Sequence, residues 1–321
     1  MDKLLTWIQT TPYADYTLSI ASADASFRKY YRLAQGDKTV IVMDSSLELE
    51  SLPPFIDVTQ RLLNAGVKAP HIFERDIEAG YLILEDFGNT QLLDELNSSN
   101  FKTHYKNSIN EILKMQNAVT ESLPLYDKTF LHFEMDLMQE WYLEKKLSLT
   151  LNAQEKELIR NTLDSISEIV LQQPQDVFVH RDFHSRNIML TPKGEIGVID
   201  YQDAMTGPIT YDLVSLLKDC YIEFERKDIE SLALYFRDKQ ALDVSDEVFL
   251  KWFDFMGLQR HIKVLGIFSR LYLRDKKDGY LKDIPLVLKY TIETALRYEE
   301  TKEFAFLLQK LNNTKNKMCT L

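Results

Sequence analysis

The chain has 321 residues, 45% of them hydrophobic and 27% charged, and a formal net charge of -11. That length suffices for two lobes with a well-buried core, and the charge excludes a broad nucleic-acid surface, because nothing would neutralise phosphates over a wide area. The two cysteines, Cys220 and Cys319, have no metal-ligand spacing and point to a reducing compartment. No basic segment followed by an apolar run opens the chain and no stretch reaches membrane-spanning length, so a cytoplasmic protein with no membrane partner is expected.

The first part reads as strand-rich. Thr17 to Ile20, Tyr30 to Leu33 and Thr39 to Met43 are short β-prone runs, with Gly36-Asp37 as a turn. Pro53-Pro54 opens a helix whose Phe55, Val58, Leu62 and Leu63 recur at helical spacing, and Asn64-Ala65-Gly66 ends it. Two further strands are expected around His71 to Phe73 and Tyr81 to Leu84. From Phe101 the period is helical: Phe101, Tyr105, Ile109, Ile112 and Leu113 form one stripe, and Leu131 to Leu147 and Glu155 to Leu171 continue it. Val177-Phe178-Val179 is a strand, Ile188 to Leu190 and Ile196 to Ile199 form a hairpin across Pro192-Lys193-Gly194, and helices follow Pro208. This order predicts an α+β, two-lobed protein-kinase-like fold, with a small mostly-β N-lobe over residues 1–88 and a larger mostly-helical C-lobe over 89–321.

The chemistry concentrates in His180-Arg181-Asp182-Phe183-His184-Ser185-Arg186-Asn187, followed by Asp200 on the apolar run Val198-Ile199. The spacing is that of the H-R-D-x-x-x-x-N catalytic loop of kinases, with Asp200 where the metal-binding Asp of D-F-G falls. Phosphoryl transfer from ATP needs these groups. Asp182 is the candidate base that orients the acceptor hydroxyl and takes its proton; Asn187 and Asp200 are the candidate Mg2+ ligands, since that ion prefers hard oxygen donors. An incidental surface turn with Asp200 as a helix cap is the competing explanation, and the combined spacing disfavours it. His180 and Arg181 are read as structural and His184 as ordering the loop or touching substrate. Asp212 either braces the catalytic loop or caps the helix after it.

Other kinase features are missing. No G-x-G-x-x-G loop occurs near the start; Ser22 to Arg28 takes its place without a glycine. Met43 of Val40-Ile41-Val42-Met43 stands where the β3 lysine is expected. Another cation should then meet the ATP phosphates. Arg28 is the first candidate and Lys29 the second, with plain surface charges as the alternative; the partner Glu is not identifiable, although Glu48 and Glu50 lie nearby. Leu84-Glu85-Asp86-Phe87-Gly88 is the expected inter-lobe hinge, with Glu85 and Phe87 as neighbours of the adenine. On the acceptor side, Arg260, His261, Arg270 and Arg274 lie in one helical stretch, where arginine suits bidentate carboxylate binding and a charged outer face is the commoner alternative.

The loop His180 to Asn187 and the run Ile199-Asp200-Tyr201-Gln202-Asp203-Ala204 through Gly207-Pro208 to Tyr211-Asp212-Leu213 resemble the aminoglycoside phosphotransferase-like family. Asp24 to Arg32, Val42-Met43-Asp44, Gly266 to Leu271, Arg274 to Lys277, Tyr280-Leu281 and Pro285 narrow the resemblance to the subgroup containing the N-acetylmuramate/N-acetylglucosamine anomeric kinases of cell-wall recycling. It implies ATP and Mg2+ as cofactors, a small amino sugar as partner and a sugar 1-phosphate as product, with Arg260 and Arg270 as acceptor contacts; His184 is a further acceptor-side candidate from its place in the loop. An aminoglycoside or other small-alcohol kinase and a nucleotide-binding pseudokinase are the alternatives. A protein kinase is disfavoured because no activation loop or A-P-E segment separates Asp200 from Pro208.

Overall fold

The computed structural model describes residues 1–22 and 28–318, and side chains over 1–21 and 28–313. Packing divides the chain into two units: Met1–Glu95 with Arg186–Ala204, and Leu96–Ser185 with Met205–Leu321. No helix among the described residues is long and apolar enough to cross a membrane.

The first unit is built on a five-stranded antiparallel sheet in the order β1-β2-β3-β5-β4, from β1 (Thr17–Ser22), β2 (Lys29–Gln35), β3 (Lys38–Asp44), β4 (Ile72–Asp76) and β5 (Tyr81–Glu85). Alternation sends Tyr31, Leu33, Val40, Val42, Tyr81 and Ile83 to one face, where Leu4 and Ile8 of α1 (Asp2–Ile8) cover them. Helix α1 was not expected; at seven residues it is too short to show a period. The other expected elements of this unit are present, including α2 (Leu52–Asn64), which opens with prolines in its first turn, and the hairpin β7 (Ile188–Leu190) and β8 (Ile196–Val198). Gly194 turns that hairpin at φ +77°, where only glycine is unstrained. Helix α3 (Leu92–Glu95) ends the unit's first segment.

The second unit is helical: α4 (Phe101–Met115), α5 (Lys128–Leu137), α6 (Ala153–Val170), α7 (Tyr211–Leu217), α8 (Arg226–Lys239), α9 (Asp246–Leu273), α10 (Ile284–Ala295) and α11 (Glu299–Met318). The stripe predicted from Leu131 to Leu147 is helical throughout but changes pitch: α5 passes into a π-helix over Met138–Lys146. The reason is visible on α9. A Cβ on Gly266 would lie 2.4 Å from the carbonyl carbon of Leu137, so the two backbones touch where the pitch widens. Strand β6 (Val177–Val179) pairs with β9 (Met205–Gly207), three residues too few to alternate and unpredicted from sequence. The α9 helix is buried over most of Phe253 to Ser269, charged residues included, which makes it the spine of the unit.

Candidate active site

The segment after β6 carries Asp182, and buried carboxylates hold its backbone in place. His180 and Arg181 donate their backbone N–H groups to the two oxygens of Asp212, at 2.8 and 3.0 Å. Asp212 sits in the first turn of α7, so it braces the loop from there. Burial pushes its carboxyl up to about 6, against the pull of His180 and the donated N–H groups. Asp219 does the same farther on: its oxygens accept from the N–H of Ser185 at 2.9 Å and of Tyr221 at 3.1 Å. Arg181 adopts φ +78°, a left-handed angle that costs a non-glycine residue about 1–3 kcal/mol. Its guanidinium is fixed by Glu134 at 2.6 Å and lies over the Phe130 ring at 5.2 Å.

Glu134 also pairs with Lys263 of α9 at 2.8 Å, and Lys263 donates to the Tyr211 hydroxyl at 3.0 Å. Tyr126 donates to Glu134 from the other side, and Gln259 donates to both. The result is a buried lattice of one acid, two cations and two phenols behind the loop that carries Asp182. It acts on Asp182 through space. Burial alone would raise the Asp182 carboxyl, but Lys263, then His184, Arg260 and Arg181, outweigh it and hold it at about 2. A carboxylate so placed is ionised at any physiological pH.

Of the expected acceptor residues, His184 and Arg260 belong to this neighbourhood. His184 meets Tyr221 edge-on at 5.3 Å, and the rings of Phe268 and Tyr280 continue the row. Arg260 is buried, donates to the Cys220 thiol at 3.2 Å, and has its pKa raised: Cys220, Tyr211, Asp182 and Asp219 outweigh the desolvation of burial, which alone would lower it. His261 faces elsewhere, stacked on Tyr290 and bonded to the Lys218 carbonyl at 3.0 Å. Arg270 lies farther along α9 and forms no ion pair within the Lys263–Glu134 lattice.

In the first unit, Asn187 and Asp200 come together at the base of the β7–β8 hairpin. The Asn187 amide donates to Asp200 at 3.3 Å, and the Ile199 N–H donates to the Asn187 carbonyl at 3.1 Å. Asp200 has φ +64°, the second left-handed non-glycine angle in the motif. The next residue, Tyr201, is buried against α2: its ring stacks on Phe55 at 5.2 Å and its hydroxyl shares a hydrogen with Thr59 at 2.8 Å. An amide oxygen and a carboxylate are hard donors of the kind Mg2+ takes. Among the described residues no three His, Cys, Asp or Glu side chains converge on one point. An ion held here would therefore complete its shell with water and phosphate oxygens, which suits Mg2+ on a nucleotide.

The nucleotide candidates divide. Arg28 is buried, 5.7 Å over the Phe55 ring and 3.5 Å from the Ser51 carbonyl, while Lys29 is exposed. The loop before it, whose backbone was expected to replace the glycine-rich turn, lies at residues 23–27, outside those described. Met43 is fully buried opposite Leu82. Glu85 forms an ion pair with Lys68 at 2.6 Å, and the Lys68 ammonium lies 5.6 Å over the Phe87 ring. Phe87 packs on Gly197, where any Cβ would strike the ring, and lines a cavity of about 330 Å³ with Gly88, Thr90, Glu95, Leu190 and Pro192. Sequence reading missed the clamp that shapes this segment: Arg32 of β2 grips Asp86 through two hydrogen bonds, at 2.6 and 3.0 Å, and the Gly88 carbonyl at 3.2 Å. It missed Glu134, Asp219 and Lys263 as well, because single charged letters in helical stretches carry no spacing signal.

The chain is 39% identical over 321 residues to an N-acetylmuramate/N-acetylglucosamine kinase of Neisseria meningitidis serogroup B, covering 96% of this chain and 95% of the relative. It is 37% identical to a kinase of the same name from Pseudomonas aeruginosa, covering 91% and 87%. In fold it is similar to the ADP-bound aminoglycoside phosphotransferase APH(2'')-Ib, at 16% identity, a TM-score of 0.63, and coverage of 92% of this chain and 99% of that one, so the predicted two-lobed kinase-like architecture holds. Residues 17–245 match the phosphotransferase enzyme family. With that match spanning most of its length and relatives this similar over nearly all of it, the chain belongs to the phosphotransferase enzyme family.

Proposed function

We propose that the protein transfers the γ-phosphoryl group of ATP to the anomeric hydroxyl of N-acetylmuramate or N-acetylglucosamine and releases the sugar 1-phosphate. The likeness to kinases of that name over nearly the full chain carries the acceptor. Asp182 would carry the chemistry: its carboxyl is held low and the loop backbone on either side of it is braced by Asp212 and Asp219, which supports its orienting the attacking hydroxyl and accepting the proton late in a loose transfer. Asn187 and Asp200 would hold Mg2+, which supplies charge neutralisation for the phosphates. Arg28, Glu85 and Phe87 are the proposed nucleotide-side residues, and His184, Arg260 and Arg270 the acceptor-side ones. A nucleotide-binding pseudokinase would have no need of the paired carboxylate braces behind Asp182.

The test is ADP release by the purified protein with Mg-ATP and a panel of N-acetylated amino sugars and aminoglycosides, with the product identified by phosphorus NMR. An anomeric phosphate on N-acetylmuramate or N-acetylglucosamine is expected. Turnover of aminoglycosides alone, or of no acceptor despite Mg-ATP binding, would overturn the reading.

A further inference from the structure

Three arginines at the C-terminal half of α9 and just beyond it have different surroundings. Arg260 is buried with the Cys220 thiol at 3.2 Å and the acids Asp182 and Asp219 near it, so its charge is already answered. Arg274 is exposed and locked to Asp275 by two hydrogen bonds of 2.7 and 2.9 Å. Arg270 has neither arrangement. It is half-buried, its Nε is shut off from solvent, and among the described residues its guanidinium makes no hydrogen bond or ion pair. Burial, and then the neighbouring Arg274, push its pKa down; Asp275 and Glu140 oppose them but pair with it in no contact.

Its position is equally specific. Arg270 follows Lys263 by seven residues, which returns it to nearly the same side of α9 about 10 Å along the axis. Lys263 is the cation that acts most strongly on Asp182, and the charges that act on Arg270 itself are Arg274, Asp275 and Glu140. A charge kept from water without a partner is costly, and a planar guanidinium regains most when a carboxylate meets it with both oxygens.

We propose that Arg270 selects for an acceptor bearing a carboxylate, pairing with the lactyl group of N-acetylmuramate while the anomeric hydroxyl of that sugar lies at Asp182. The assignment rests on the amino-sugar reading above. The two sugars of that reading form the control, because N-acetylglucosamine lacks the lactyl ether and is otherwise the same ring. N-acetylmuramate therefore loses a charge-assisted pair when Arg270 is removed, and N-acetylglucosamine loses nothing.

Steady-state kinetics of wild type, Arg270→Ala and Arg270→Gln with each sugar at saturating Mg-ATP decide it, with thermal midpoints measured alongside. The expected result is a rise of about 10- to 100-fold in KM for N-acetylmuramate in both variants. KM for N-acetylglucosamine should stay within about twofold of wild type, and the KM for ATP should not move. Arg270→Lys, which keeps the charge and loses the fork, should fall between. Equal weakening of both sugars would make Arg270 a packing residue, and no change with either would leave it without a role in acceptor choice; each overturns the proposal while the kinase reading stands. Wild-type protein that phosphorylates neither sugar overturns the kinase reading itself.

Discussion

Lys263 is the strongest of the charges that keep the Asp182 carboxyl low, and it acts from a helix more than eighty positions away in the chain. Its ammonium bridges Glu134 and Tyr211 and opposes the burial that would protonate Asp182. Because the folded Asp182 titrates at about 2, below the ordinary carboxylate value, it stays ionised as pH falls until that value is reached. The acid limb of kcat in the wild-type protein near neutral pH should therefore belong to another group. Lys263→Met removes the strongest opposing charge, so the Asp182 pKa rises and its limb moves up towards the measurable range. A pH–rate profile checks this: kcat should fall about tenfold near neutrality and the acid limb should shift upward, whereas a variant with a wild-type profile would show Lys263 to be scaffold only. Asp182→Asn should lower kcat by at least about 100-fold with Mg-ATP binding nearly intact, measured by calorimetry and turnover. The proposed catalytic and metal-binding letters stood out because His-Arg-Asp, Asn187 and Asp200 obey a fixed spacing. Lys263, Glu134 and Asp219 were not, since their partners are brought together only by the fold.

Among the elements, strands and helices with a clear period were readable: β2, β3, β5, α2, α4 and α6 all lie where alternation or helical spacing put them. The misses share a cause. α1, β9 and the π-helix over Met138–Lys146 owe their form to neighbours, respectively the sheet face, β6 and Gly266. Gly266 gives the sharpest test. A methyl group there would meet the Leu137 backbone at 2.4 to 2.6 Å, and backbone does not swing aside as a flexible side chain would. Gly266→Ala should cost about 1–3 kcal/mol of unfolding free energy by urea denaturation, and a change under about 0.5 kcal/mol would show that the junction of α5 and the π-helix yields freely.

For the molecule as a whole, one buried acid ties much of the helical unit together. Asp254 of α9 accepts from Lys218 after α7 at 3.0 Å, from Arg226 of α8 at 2.7 Å through each oxygen, and from Tyr298 at 2.9 Å, while Lys218 also reaches Thr294 of α10 at 3.0 Å. Burial opposes the charge, but Lys218 and Arg226 win and hold the carboxyl at about 2. A folded pKa below the unfolded one gives stability that is present above the unfolded pKa and is lost as pH falls from there through about 2. That contribution is about 2 kcal/mol at neutral pH. Asp254→Asn should remove at least that much, because it also takes the carboxylate from the buried Lys218 ammonium, and should flatten the acid side of the stability curve in urea titrations between about pH 5 and pH 2. A variant as stable as wild type at pH 7 would show the knot to be neutral. None of these partners could be paired from sequence, although the order of elements, strands then helices with a short hairpin between, announced the architecture.

Asp200 holds its side chain at a backbone angle, φ +64°, that glycine adopts without strain. This sequence places an aspartate there against that conformational preference, and the strain of about 1–3 kcal/mol is retained in every folded copy. Laboratory selection for heat resistance, with no demand for turnover, would therefore drift towards glycine at position 200 and enrich sturdier proteins that have lost a proposed metal ligand. Any campaign to harden this protein has to screen for phosphorylated product at each round, because at this position robustness and the proposed metal-binding role pull the sequence in opposite directions.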